Sequence, residues 1–406
     1  LVCDQAGHQN NVRSLPDGAG GAFVFWLDTR DNPGYPAKKI YGQHYNDAGY
    51  EMWEENGRVL MSHYNSIIDF NILLNTDGSM ILGMITQGAS SGAGDTLRFQ
   101  MLTEAGESGW DQELVVGNAA YEPNAILYLT NFMLMPVDDE YYVFLGITYF
   151  GGSNGNRFTR FDNQGNLLGA YDGVPVGYQG YVGATGCAPT YDGSGDFYLY
   201  YATGNGSGAA LHAFRFNSSG NQLWGPVNVT EGTSGLSYQL GGVSDENGIT
   251  FVWEGSSNGS INLHSRRLTP TGAFDWNGNT VMICGADGSQ SNFNMKRKDN
   301  YIYVVWADGR TGTDPGYYDI FAQRMDTTGY LIWQPDGIQV ASFNTYIPYP
   351  MLEILDDYSI VVNHQSTVAG FMAQMVDAAG TLPWGPEARQ ISTTAFNPFY
   401  QLHKVF

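Results

Sequence analysis

Positive charge is what this 406-residue chain most lacks: 18 Lys and Arg stand against 40 Asp and Glu, a formal net charge of −22. A field of that sign repels phosphate backbones, which excludes nucleic acid as an expected partner. Charge of either sign is sparse, at 14% of residues, whereas helix-rich soluble domains draw heavily on Lys and Glu. The three cysteines, Cys3, Cys187 and Cys284, cannot all pair within one chain and show no CxxC spacing. They imply no zinc site and are expected as small buried hydrophobes. No apolar run approaches the ~20 residues that span a bilayer, and no membrane span is expected. No signal peptide is visible, and the chain reads as a mature or excised segment of something longer. Also missing are a Gly-x-Ser-x-Gly elbow, a phosphate-binding loop and any HxH or HExxH spacing among the seven histidines. His44 and His264 fall in strand-like runs and read as ordinary strand residues.

What the chain has in quantity is glycine, 53 residues, and aromatic side chains, 14%. Both suit many short strands joined by tight turns. A Gly followed four residues later by Trp recurs at Gly49/Trp53, Gly106/Trp110, Gly220/Trp224, Gly272/Trp276, Gly329/Trp333 and Gly380/Trp384. A seventh copy falls at Gly165, with Gly169 in the Trp position. Successive glycines lie 57, 59, 55, 52, 57 and 51 residues apart. Fixed-interval self-similarity of this kind marks a repeat architecture.

Each unit carries four short strand runs with turn signals between them. The second is strongly β-prone, as in Ala22 to Trp26 or Tyr301 to Trp306. The third alternates, as in Ile40 to Tyr45 or Ile320 to Met325. Seven such units predict an all-β fold, a seven-bladed β-propeller of four-stranded antiparallel blades. The expected organisation is one domain over 1–406, with repeats near 9–63, 64–123, 124–180, 181–235, 236–290, 291–345 and 346–397. Val2-Cys3 matches a fourth strand and Tyr400 to Val405 a first, so the ends are expected to close the ring or continue into neighbouring segments. The recurrent Gly is expected at positive φ in the turn between third and fourth strands, with Asn46, Asp162, Asn217, Asp326 or Asp377 three residues before it bonding the turn. The Trp is expected to plug the space between blades.

Two units match one another almost in step. Trp26-Leu27-Asp28-Thr29-Arg30, Ile40-Tyr41-Gly42-Gln43, Gly49 and Trp53 correspond to Trp306-Ala307-Asp308-Gly309-Arg310, Ile320-Phe321-Ala322-Gln323, Gly329 and Trp333. This pattern resembles a repeat of large secreted or cell-surface proteins of the Bacteroidetes. The resemblance implies a bacterial extracellular location, export as type IX secretion cargo, and a secretion-machinery or surface-complex partner. It carries over no catalytic residues. Sialidase-type Asp boxes, kelch repeats and WD repeats fit less well, because their signatures do not recur on the interval.

The polar feature that stands out is Trp-x-Asp-x-Arg. Residues two apart on a strand share a face, so Asp28 with Arg30, and Asp308 with Arg310, can form a charge-assisted bond that clamps the following loop or contacts a ligand. Those loops, Asp31 to Pro36 and Thr311 to Tyr318, both contain Pro-Gly-Tyr, and Tyr35, Tyr317 and Tyr318 would offer flat apolar surfaces to sugars or peptides. Calcium is a possible cofactor through Asp28, Asp31 and Asn32 or Asp308, Asp314 and Asp319, since hard oxygen ligands suit it. The functional expectation is a non-catalytic extracellular binding or scaffold module that presents loops to a glycan or protein partner. The first alternative is a carbohydrate-active hydrolase or lyase, for which Arg13, Asp69, Lys296, Arg297 and Glu353 in first-strand runs are the candidates. The second is a passive secretion-system cargo or surface-complex subunit.

Overall fold

The computed structural model describes residues 2–31, 37–88, 94–118, 127–149, 154–171, 173–180, 188–203, 209–232, 236–257, 259–310, 317–346, 349–366 and 370–392. They form 28 strands in seven four-stranded sheets, each antiparallel with its strands side by side in chain order, and one 3-10 turn at Trp276–Gly278. This is the expected seven-bladed β-propeller. Two compact units divide it, the first reaching Tyr181 and the second running Val182–Gln401. The first unit holds blade 1 (residues 9–62), blade 2 (67–118) and blade 3 (127–180). The second holds blade 4 (188–228), blade 5 (236–284), blade 6 (290–346) and blade 7 (351–392). Among the described residues no helix is long and apolar enough to cross a membrane. Val2 and Cys3 form no strand, and Tyr400 to Val405 lie outside the described residues.

Burial explains the strand composition. The second strands are covered on both faces and read as nearly continuous apolar runs: all of Met80–Thr86 is buried, and so is Ile302 through Asp308. The first strand of blade 1, β1 (Gln9–Pro16), is an edge and alternates half-buried with exposed side chains along its second half. Within each unit the core therefore lies between consecutive blades. Phe25, Leu27 and Ile40 of blade 1 pack on Phe70 and Leu82 of blade 2, and Val252 of blade 5 packs with Phe293 and Val304 of blade 6. Each such side chain contributes about 1.5–3 kcal/mol on burial.

The seven repeat glycines all have positive φ, from 75° to 87°. Each turn is closed by a bond from the glycine N–H to the carbonyl three residues back, as in Gly49 to Asn46 at 2.9 Å. Asn46, Asp162, Asn217, Asp326 and Asp377 accept backbone N–H groups of the same turns through Oδ1, as expected. A second constraint comes from the blade before. A Cβ added at Gly106, Gly165, Gly272, Gly329 or Gly380 would lie 2.9–3.0 Å from the indole of Trp53, Trp110, Trp224, Trp276 or Trp333 respectively. Four of these indoles also donate Nε1–H to the carbonyl two residues before that glycine: Trp110 to Asn163, Trp224 to Pro270, Trp276 to Thr327 and Trp333 to Ala378. Trp384 is half-buried, with the Arg389 guanidinium 4.6 Å from its ring.

A recurrent glutamine completes the unit. Gln43 accepts the Trp53 N–H at 3.0 Å and donates to Glu54 O at 2.8 Å. Gln100 and Gln323 tie the turns of Trp110 and Trp333 in the same way, and Gln374 donates to Gly385 O. A buried amide that satisfies both a donor and an acceptor of the turn holds the indole in place.

Candidate functional site

The Trp-x-Asp-x-Arg residues fall where the second strand ends, and their geometry in blades 1 and 6 is nearly superimposable. In blade 1, β2 (Ala22–Asp28) ends on the buried Asp28. Trp26 Nε1 donates to Asp28 Oδ2 at 2.8 Å, Arg30 N to Oδ1 at 2.7 Å, and Arg30 Nη2 to Oδ2 at 2.7 Å. Arg30 Nη2 also reaches Asn56 O at 2.9 Å and Cys3 Sγ at 3.1 Å, and the guanidinium lies 4.0 Å from the Tyr41 ring centroid. In blade 6, β22 (Tyr301–Asp308) ends on Asp308, which receives Trp306 Nε1 at 2.7 Å, Arg310 N at 2.9 Å and Arg310 Nη2 at 2.6 Å. Arg310 Nη2 then meets Asp336 O at 2.7 Å and Cys284 Sγ at 2.9 Å, with Phe321 beneath at 4.0 Å. Burial alone would raise the Asp28 carboxyl pKa, but the bonds from Arg30 and Trp26 outweigh it and hold the group below its usual value. Carboxylate, guanidinium and indole are thus engaged with one another in a clamp where the second strand ends.

The loop residues named with them are placed less completely. Tyr35 lies outside the described residues, as do Asn32 and Asp314. Tyr317 opens β23 (Tyr317–Asp326), its side chain outside the described ones, and Tyr318 is half-buried beside Gly309. Asp31 pairs with Lys39 at 2.7 Å and accepts from Tyr41 at 3.0 Å. Among the described residues no group of three or more His, Cys, Asp and Glu gathers as a metal site.

Blade 5 has the same scaffold without the clamp. In β18 (Gly248–Ser257) and β19 (Ser260–Leu268), Trp253 stands opposite His264 as Trp26 stands opposite Tyr41 and Trp306 opposite Phe321. Gly255 and Ser257 occupy the Asp and Arg positions. Trp253 Nε1 and Asn262 Oδ1, on the same face of the sheet, are buried without a partner. On the other face the buried Glu254 accepts the Asn292 N–H at 2.8 Å, and burial pushes its carboxyl up to about 7. Asp95 of blade 2 is raised for the same reason and accepts the Leu129 N–H at 3.1 Å. Both acids support an irregularity in the first strand of the next blade, between Ser291 and Asn294 and opposite Gly146 and Ile147. A Trp aligned with Trp26 and Trp306 but lacking the following Asp and Arg was the sequence signal for this site; for Glu254 there was none.

The first strands bring the remaining candidates together in pairs. In the first unit, β1 adjoins β5 (Ile67–Leu74). Arg13 Nη2 meets Asp69 Oδ1 at 3.2 Å, and its Nε and Nη2 reach Phe70 O at 3.3 and 3.2 Å. Asn11, not foreseen, sits at a bulge with φ 52° and donates Nδ2–H to Asp69 at 2.8 Å, while its Oδ1 is buried without a partner. Burial lowers the Arg13 pKa, with Asp69 opposing the shift. In the second unit, Lys296 meets both Glu353 oxygens at 2.7 Å, and Arg297 is exposed and bonds only Asp299 O. Every turn between first and second strands carries an acid: Asp17, Asp77, Asp138, Asp192, Glu246, Asp299 and Asp356.

No family model and no curated protein sequence matches the chain. Solved structures do match, at low sequence identity. The polysaccharide lyase Uly1 aligns over 92% of this chain and 91% of its own at 9% identity and a TM-score of 0.51. An ulvan lyase of polysaccharide lyase family 25 aligns over 75% and 76% at 12% identity and a TM-score of 0.49. The α-L-arabinanase of Cellvibrio cellulosa, complexed with arabinohexaose, aligns over 64% of this chain and 95% of its own at 14% identity and a TM-score of 0.34. The likeness to Uly1, over nearly the whole of both chains, is a likeness of fold. The expectation of a non-catalytic binding or scaffold module is corrected at this point: the structure that aligns over nearly the whole chain is named as a polysaccharide lyase.

Proposed function

We propose that this chain is a polysaccharide-cleaving enzyme that works outside the cell by β-elimination. The observation that carries the reading is the cluster of Asn11, Arg13 and Asp69 on adjoining first strands, where a half-buried guanidinium is held in place by a carboxylate and a backbone carbonyl. A lyase must neutralise the carboxylate of a uronic acid before the adjacent proton becomes acidic, and a positioned, partly desolvated Arg supplies that charge. A base then takes the proton α to the carboxyl, the C–H electron pair forms the C=C bond of the new non-reducing end, and the β C–O pair leaves on the glycosidic oxygen, which takes a proton from water. What the neighbouring propellers are named for, polysaccharide lyase and ulvan lyase activity, supports this chemistry. Hydrolysis needs two carboxylates about 5–10 Å apart across the sugar, whereas Asp69 and Glu353 each hold a cation.

The extracellular location belongs to the same reading, since a polymer is met outside the cell, and so does the Bacteroidetes-type export route; fractionation of native cells tests both. Activity is tested by incubating the chain with uronate-containing and neutral polysaccharides and following ultraviolet absorbance and reducing ends together. The expected result is absorbance from the unsaturated product, lost in Arg13→Ala. New reducing ends without absorbance, abolished by Glu353→Gln, would move the assignment to a hydrolase.

A further inference from the structure

Tyr64 is the most exposed large aromatic side chain among the described residues, at 72%, and its surroundings hold it rather than leave it loose. It follows the fourth strand of blade 1, at the end of the blade opposite the acidic turns. The His63 ring lies against it, centroids 4.2 Å apart at 35°. His63 is fixed in turn: its N–H donates to Lys38 O at 3.0 Å, and its Nδ1 accepts the Asn65 N–H at 3.1 Å. Asn65 Nδ2 donates to Gln87 O at 2.8 Å, which ties the segment to blade 2. An aromatic pair with both backbone and ring anchored is a preorganised flat surface with one face open to solvent.

The charges around it differ from the rest of the chain. Lys38 and Lys39 precede and open β3 (Lys39–Tyr45), and Lys38 stands beside His63 across the strand pair. Burial, and after it the charge of Arg98 of blade 2, lowers the His63 pKa. Lys39 pairs with Asp31 and Arg98 with Glu113, and Asp95 nearby is buried. Lys38 has no ion pair among the described residues. Among the described residues Lys38 is thus the one of these three cations without a carboxylate partner, in a chain where acids outnumber bases by 40 to 18.

We propose that Tyr64, backed by His63 and flanked by Lys38, is a stacking platform for an acidic sugar unit of a polysaccharide, with the ring face on Tyr64 and the carboxylate or sulfate towards Lys38. It rests on the function proposed above only in the choice of a polysaccharide as occupant. An aromatic face takes the C–H face of a pyranose, and an unpaired ammonium selects the charged polymer over a neutral one.

Affinity electrophoresis of the full chain through gels containing alginate, a polyuronate, or arabinan, a neutral polymer, tests this. Retardation by alginate is expected to exceed that by arabinan and to fall with added salt. Tyr64→Ala should weaken it roughly tenfold, as loss of an aromatic contact implies. Lys38→Gln should weaken retardation by alginate alone, and Lys38→Arg should restore it. Unchanged retardation of Tyr64→Ala, no retardation by either polymer, or equal retardation by both overturns the proposal. Alginate retardation without turnover of any polysaccharide would sink the lyase reading and leave the platform standing. Turnover with Tyr64→Ala unaffected in both assays would do the reverse.

Discussion

Blades 1 and 6 and blade 5 turn the same corner with the same indole-over-ring pair and finish it differently. In blades 1 and 6 the indole N–H, an Asp carboxylate and an Arg guanidinium satisfy one another, and the Arg goes on to a carbonyl and a thiol. In blade 5, Gly255 and Ser257 leave Trp253 Nε1 and Asn262 Oδ1 unanswered, and an arginine at another position serves other carbonyls. Arg266, where the other blades have Gln43 or Gln323, bonds Val229 O, Glu231 O and Gly278 O. A repeat protein can thus keep its apolar frame while the polar closure of a corner is lost or rebuilt, because packing tolerates the change and hydrogen bonding does not.

The sharpest way to break the comparison is Asp308→Ala. It takes the carboxylate from the half-buried Arg310 guanidinium and leaves the buried Trp306 N–H without its acceptor, and denaturant unfolding should show a loss of about 3–5 kcal/mol. A loss under about 1 kcal/mol would mean the clamp is no more than a surface ion pair. Gly380→Ala should cost about 2–3 kcal/mol, since it adds a clash with Trp333 to the penalty of a positive φ. Gly49→Ala, which meets no atom within 4 Å, should cost only about 1 kcal/mol. Equal melting points for the two would remove the inter-blade role given to the indole.

Glu254 offers a pH test. Its folded pKa is raised from 4.5 to about 7 by burial, so its contribution to stability is complete below 4.5 and is lost as pH rises through about 7. Glu254→Gln should flatten the pH dependence of unfolding over that window, with a gain on the order of 1–2 kcal/mol at pH 8. Asp28 has the opposite sign: its folded pKa is depressed, so the stability it adds is present above its unfolded value and is lost as pH falls through the folded one. The smallest effect expected is from transplanting the clamp. Gly255→Asp with Ser257→Arg gives Trp253 an acceptor and should raise stability by about 1 kcal/mol; a lower melting point would show that the corner of blade 5 has no room for the pair.

The Gly and Trp of the repeat, the four strands per interval and the all-β class were legible because they rest on local rules: a positive-φ turn, alternation, and a large apolar side chain at constant spacing. The Asp28–Arg30 contact was legible for the same reason, since residues two apart on a strand share a face. Asn11, Glu254 and the Tyr64–His63 pair were not. Each draws its meaning from a residue on another strand or blade: Asp69 for Asn11, the Asn292 N–H for Glu254, Lys38 for His63. The need for glycine at Gly380 shows the division within one residue. Sequence alone determined that a glycine belongs there, because the turn requires φ near +86°. Only the tertiary structure decided that even a single methyl group is excluded, because the indole of Trp333, from the blade before, already occupies that space.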